Sequence, residues 1–191
     1  MEGGENQARK LSPLAVLVFY GVMAVVALVW GELRGAPAVL ERGDTAAPLQ
    51  ALYGIALGIP VVLLSTYASL RLEWAQRLNA EFREILGPLT SADVMMLAGG
   101  SAIGEEMLFR GAMQPTLGLW MTTAVFGLVH FPPRRDLWPW SAAAAAVGLG
   151  LGGLYEVTGS ILAPLVAHFT VNWFNLHALA RPGDVAAADP S

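Results

Sequence analysis

The chain has 191 residues, enough for one domain, with 55% apolar residues, 14% charged residues and a formal net charge of −4. An acidic chain without a basic stripe does not suit nucleic acid. The lack of cysteine excludes a disulfide framework, a thiol nucleophile, a thiolate metal site and a prenylated carboxy-terminal cysteine box. The 11 basic and 15 acidic residues leave five uncharged gaps: Lys10 to Glu32, Asp44 to Arg71, Arg110 to Arg134, Asp136 to Glu156 and Glu156 to Arg181. About 20 apolar residues cross the hydrocarbon core of a bilayer. The sequence therefore predicts an all-α polytopic transmembrane bundle of about six spans, folded as a single integral membrane domain over residues 1–191.

Residues 1–10 form a polar tail, and Leu11 to Gly31 reads as the first span. A cleaved signal peptide is the rival reading, but the apolar stretch exceeds the roughly 7–15 residues of a signal core, which favours an anchor. Leu49 to Leu70 is the second span, with Pro60 as a kink and Gly54 and Gly58 as a close-packing face. Between Arg71 and Leu89, charges of alternating sign interleave with Leu72, Trp74, Leu78, Phe82, Ile85 and Leu86 near helical spacing. That pattern predicts an amphipathic helix at the membrane surface or a solvated helix joining two spans. Gly87-Pro88 ends it, and Thr90-Ser91 offers a cap for the next helix.

The third span starts at Ala92 and is interrupted by Glu105, Glu106 and Arg110. Pro115 to Phe131 makes a fourth, and Leu137 to Tyr155 a fifth, with Ala144, Gly148 and Gly152 four apart for tight contact. Ser160 to Ala180 is the sixth, followed by a short polar tail at 181–191. With the amino terminus in the cytoplasm, Arg9, Lys10, Arg71, Arg77, Arg83, Arg134, Arg135 and Arg181 fall inside, against Arg34 and Arg42 outside. This bias predicts a multi-pass protein of the cell membrane with both termini cytoplasmic.

Ionisable groups inside a span cost at least about 2.5–3.5 kcal/mol at a helix centre, so three in one span call for a reason. Glu106 and Arg110 are four apart with the acid first, the favoured order for an ion pair. Glu105 points about 100° away from that pair and is the candidate general base acting on water. The bland alternative places all three at the wet membrane surface. Gly99, Gly100 and Gly104 leave room for a neighbouring helix or a substrate backbone. His130 lies four residues after Phe126, His168 lies four before Asn172, and His177 is about half a turn away from His168. A base, two imidazoles and an amide on three helices are the parts for hydrolysing an acyl bond. Straight, evenly placed helices would not bring these parts together. They meet only if the third helix is shifted or broken at Gly99-Gly100, if the fourth overruns the bilayer, or if the topology differs locally.

Glu105 to Arg110 reads EExxxR, Phe126 to His130 reads FxxxH, and His168 to Asn172 reads HxxxN. Three such motifs, in order on successive apolar helices over roughly Ser91 to Ala180, resemble the CPBP family of intramembrane proteases. That group holds type II CAAX prenyl endopeptidases and bacteriocin-processing or self-immunity proteins. The resemblance implies that Glu105 activates water, supported by Glu106 and Arg110. It implies that His130 orients the water or binds a metal, and that His168 and Asn172 bind a metal or stabilise the oxyanion. A zinc-like divalent metal on Glu105, His130 and His168 and a metal-free glutamate mechanism are both open. The implied partners are the lipid bilayer and a membrane-anchored protein or peptide, cut near its carboxy-terminal end: a CAAX-like tail, a lipidated sorting tail or a bacteriocin. The competing readings are a non-catalytic immunity or scaffold protein of the same fold, and a proton or ion pathway.

Overall fold

Apolar side chains face outward in this chain and polar ones face inward. Leu14, Phe19, Leu63, Leu64, Tyr67, Trp120 and Leu128 are exposed, whereas Gln50, Glu106, Arg110 and Thr122 are among the largest fully buried side chains. A water-soluble domain would not expose so much apolar surface. A bundle solvated by lipid does so at no cost and keeps its polar groups inside. The computed structural model describes residues 12–35 and 43–180; the tails expected at 1–10 and 181–191 lie outside the described residues.

Among the described residues seven α-helices follow in order: α1 Pro13–Leu33, α2 Ala47–Arg71, α3 Glu73–Leu86, α4 Ser91–Glu106, α5 Gln114–Val129, α6 Trp138–Thr158 and α7 Leu162–Ala180. A π-helical segment, Met107–Met113, joins α4 to α5, and a short 3-10 turn, Arg135–Leu137, leads into α6. The segments Leu14–Leu33, Ala47–Arg71 and Arg135–Thr158 are long and apolar enough to cross a membrane on their own. The other expected spans correspond to α4 and α5, each 16 residues long, and to α7, whose apolar character is diluted by His168, Asn172, Asn175 and His177. The fold is a helical membrane bundle.

Local chemistry sets the helix ends. Thr90 caps α4 through a reciprocal box in which its hydroxyl accepts from the Asp93 amide at 3.2 Å and Asp93 accepts from the Thr90 amide at 2.8 Å. Gly87, with φ of 64°, ends α3, and Gly159, with φ of 62°, ends α6 in the left-handed conformation that suits glycine. α2 continues through Pro60 as one helix.

The junction between α4 and α5 differs from the expected break at Pro115. Pro115 has no N–H to offer the Gly111 carbonyl. The ladder upstream shifts to the wider register, in which the Gln114 amide donates to the Phe109 carbonyl. Side chains donate to carbonyls at this junction: Arg34 reaches the Gly111 carbonyl at 3.4 Å and Thr116 the Ala112 carbonyl at 2.9 Å. The chain reverses three residues beyond the proline, at Gly118, whose φ of 77° and ψ of 168° are closed to other residues without strain. The rest of α5 then runs back along the π-helical segment, so that Phe126 packs on Phe109 with ring centroids 4.9 Å apart.

Small residues bring the remaining helices close. A side chain at Gly54 would strike Ala163 and Val166 of α7, and one at Gly58 would press on Thr170. On α6, a Cβ at Gly148 would lie 2.8 Å from the Phe126 ring, and one at Gly152 would meet Leu119 and Gln114. The close contacts expected at both glycine stripes are present. Gly148→Leu is accordingly expected to destabilise the bundle by roughly 1–3 kcal/mol through overpacking, read as a lower unfolding midpoint in detergent; Gly153→Leu, at a glycine with nothing nearby, should be close to neutral.

α3 lies against the start of α6. Arg77 bridges Glu73 at 2.9 Å and Asp136 at 3.2 Å, Arg134 pairs with Glu81, and Phe82 meets Trp140 edge to face. Arg134 also donates to the half-buried Asp136 carboxylate at 2.8 Å.

Candidate active site

The hairpin at Gly118 solves the geometric problem posed by straight helices. α4 is unbroken at Gly99-Gly100. The return limb of α5 is instead short, so it ends at the height of Glu105 rather than at the far membrane surface. His130, the residue that closes α5, therefore places its Nε2 3.9 Å from Glu105 Oε2. α7 runs antiparallel to α4 and brings His168 Nε2 to the same oxygen, also at 3.9 Å. Glu105 Oε2 is buried without a hydrogen-bond partner.

Each imidazole is fixed through its other nitrogen. His130 Nδ1 faces the Phe126 carbonyl at 2.7 Å, so it donates there and leaves Nε2 toward Glu105. This is the physical content of the FxxxH spacing: the carbonyl one turn earlier selects the tautomer. The Phe126 ring also stacks near His130 at 4.5 Å and under the Arg110 guanidinium at 4.7 Å. His168 Nδ1 faces Glu106 Oε1 at 2.6 Å, a distance typical of charge-assisted bonds. Trp140 presses edge-on against His130, with centroids 5.5 Å apart.

Glu106 and Arg110 are almost fully buried. Arg110 donates through Nη1 to Glu106 Oε1 at 3.1 Å and through Nη2 to the Gly148 carbonyl at 2.9 Å. One carboxylate thus receives the guanidinium from its own helix and the imidazole from α7, while the guanidinium also reaches α6. Asn172 sits one turn along α7 from His168 and donates through Nδ2 to Ser101 Oγ at 2.8 Å. His177 packs on Trp173 at 4.4 Å, apart from this cluster.

The chain therefore gathers Glu105, Glu106, Arg110, His130 and His168 in one place, with Asn172 a turn away. Sequence reasoning missed Ser101 and Tyr20. Ser101 lies four residues before Glu105, on the same helical face, which is a signal available from spacing alone. Tyr20 belongs to the first span, where no motif points to it, yet it lies close enough to interact electrostatically with Glu105 and its hydroxyl reaches Ser101.

Metal binding can be tested on distances. Two ligand atoms, each about 2.1 Å from a tetrahedral zinc, stand about 3.4 Å apart, and the Glu105–imidazole separations of 3.9 Å exceed that. Among the described residues no trio of His, Cys, Asp or Glu is gathered to hold a metal ion. The same separation is too long for a direct hydrogen bond and suits a bridging water.

A carboxylate thus faces two oriented imidazoles inside a lipid-solvated helical bundle. Residues 88–174, a little under half of the chain, match the Rce1-like family, described as type II CAAX prenyl endopeptidase Rce1-like. Over 71 residues the chain is 40% identical to an uncharacterized protein, YpbD, of Bacillus subtilis (strain 168). That match covers 37% of this chain and 37% of YpbD, so it spans well under half of the relative's length. No solved structure matches the chain.

Proposed function

We propose that this protein is an intramembrane endopeptidase that cuts a membrane-anchored protein or peptide near its carboxy-terminal end. The observation that carries the reading is the unpartnered Glu105 Oε2 standing 3.9 Å from the Nε2 of both His130 and His168. A water bonded to Glu105 and an imidazole loses its proton to Glu105 as its oxygen attacks the scissile carbonyl carbon. The oxyanion that forms is stabilised by the Asn172 amide. The intermediate collapses when the C–N bond breaks and Glu105 returns the proton to the leaving amine. Glu106 holds the His168 ring in place, as a carboxylate does behind a catalytic histidine. A CAAX-like or lipidated sorting tail, or a bacteriocin, suits a site reached from within the bilayer.

α3, with Arg77 and Arg83, and the 131–137 loop, with Arg134 and Arg135, lie at the same end of the bundle, which supports placing that end, and both termini, in the cytoplasm of a cell-membrane protein. The test compares carboxy termini of membrane proteins, by mass spectrometry, from cells with the wild-type chain and with His168→Ala. A cut terminus present only with the wild type is expected; identical termini overturn the reading. The ligand spacing leads to a second expectation: cleavage in washed, chelator-treated membranes proceeds at the untreated rate. Loss of activity restored by zinc would replace the metal-free route.

A further inference from the structure

Asn172 is useful to an oxyanion only if its amide nitrogen, rather than its oxygen, is held in a fixed direction. Ser101 decides this. A hydroxyl has one proton and two lone pairs. The Ser101 proton goes to the Ala98 carbonyl at 3.2 Å, so toward Asn172 the hydroxyl can only accept. The bond from Asn172 Nδ2 to Ser101 at 2.8 Å is the orientation that this arrangement allows; a flipped amide would set oxygen against oxygen. The Tyr20 side chain of the first span lies within interaction distance of Ser101.

The glycines of α4 make that third contact possible. A Cβ at Gly104 would lie 2.8 Å from the Tyr20 carbonyl oxygen, and one at Gly100 would touch the Tyr20 ring at 3.6 Å. The first span can therefore lie directly on α4, with the Tyr20 ring across Gly100 and its hydroxyl beside Ser101. Tyr20, Ser101 and Asn172 form a polar chain across α1, α4 and α7, one turn from Glu105. Ser101 is buried, and its hydroxyl donates to the Ala98 carbonyl and accepts from Asn172.

We propose that Ser101, backed by Tyr20, is a positioning residue that fixes the Asn172 amide with its nitrogen toward Ser101 and a second N–H free for the substrate carbonyl. The assignment rests on the endopeptidase reading. It makes α1 part of the active centre although that helix lies outside the family match at 88–174.

The test uses the full chain in liposomes, co-reconstituted with the membrane protein whose cut carboxy terminus separates wild-type from His168→Ala membranes. Asn172→Ala should lower kcat by about 10²-fold, the order expected for one oxyanion donor. Ser101→Ala should lower kcat by about 10-fold and Tyr20→Phe by a few-fold, with KM within about 2-fold of wild type in both. Tyr20→Phe keeps the ring that packs on Gly100, so its effect isolates the hydroxyl. In the Asn172→Ala background neither substitution should cost anything further, because residues acting through a shared partner are not additive. Unchanged kcat in both single variants, or full additivity with Asn172→Ala, overturns the inference while leaving the peptidase standing. A wild-type chain that cuts nothing overturns the peptidase reading itself.

Discussion

Glu105→Gln is expected to lower turnover by about 10²–10⁴-fold while leaving the unfolding midpoint within experimental error of wild type. The range is that of a positioned general base. The substitution keeps the shape and burial of the side chain and removes its capacity to accept a proton from water. Glu105 Oε2 makes no hydrogen bond, so replacing it strands no partner elsewhere. The same change at Glu106 should behave differently. Glu106 Oε1 accepts from both Arg110 and His168, so Glu106→Gln weakens two buried bonds and shifts stability and rate together. Steady-state cleavage in liposomes, paired with thermal unfolding in detergent, separates the two glutamates. Two further measurements on Glu105→Gln, cellular phenotype and ion flux, discriminate the remaining readings. An immunity or scaffold protein of this fold would keep its phenotype in Glu105→Gln, and an ion pathway would lose flux across proteoliposomes. If Glu105→Gln cleaves at the wild-type rate, a glutamate-activated water is not the nucleophile.

The fold was largely legible because charge is so costly in lipid. Gaps between ionisable residues outlined the helices to within a few positions, and the glycine and alanine stripes at Gly54, Gly58, Ala144, Gly148 and Gly152 marked contacts that the structure contains. Spacing of four also brought Glu106 to Arg110, although the intervening helix is wider than a standard one. What spacing could not convey was the depth of each residue in the membrane. His130 looked like the foot of a full span, but Gly118 turns the chain early and α5 returns only as far as Glu105. A single glycine at positive φ thus sets the height of the histidine, and single-residue turn chemistry leaves no periodic trace. Tyr20 escaped for another reason. Its span is uniformly apolar with one phenol in it, and only the approach of α1 over Gly100 and Gly104 gives that phenol a neighbour.

Arg110→Met is expected to destabilise the bundle by about 3–5 kcal/mol, the cost of removing one partner from a buried ion pair. The guanidinium is 1% exposed and its pair with Glu106 is fully enclosed, so neither water nor salt can compensate. The change also strips a donor from the Gly148 carbonyl and a cation from the face of Phe126. Arg110→Lys should recover only part of the loss, because an ammonium cannot present two N–H groups in the planar fork that reaches α4 and α6 together. The double variant Glu106→Gln/Arg110→Met should be more stable than Arg110→Met alone, since a neutral amide tolerates burial beside a thioether better than an uncompensated carboxylate does. It should still cleave slowly, because His168 Nδ1 then faces an amide in place of a carboxylate. Midpoints of unfolding in detergent rank the three variants, and cleavage at a temperature where all remain folded tests the second part. If Arg110→Met matches the wild type in stability, the pair is not a buried clasp between helices. A double variant that is no more stable than Arg110→Met would assign the loss to packing rather than to charge left without a counter-ion.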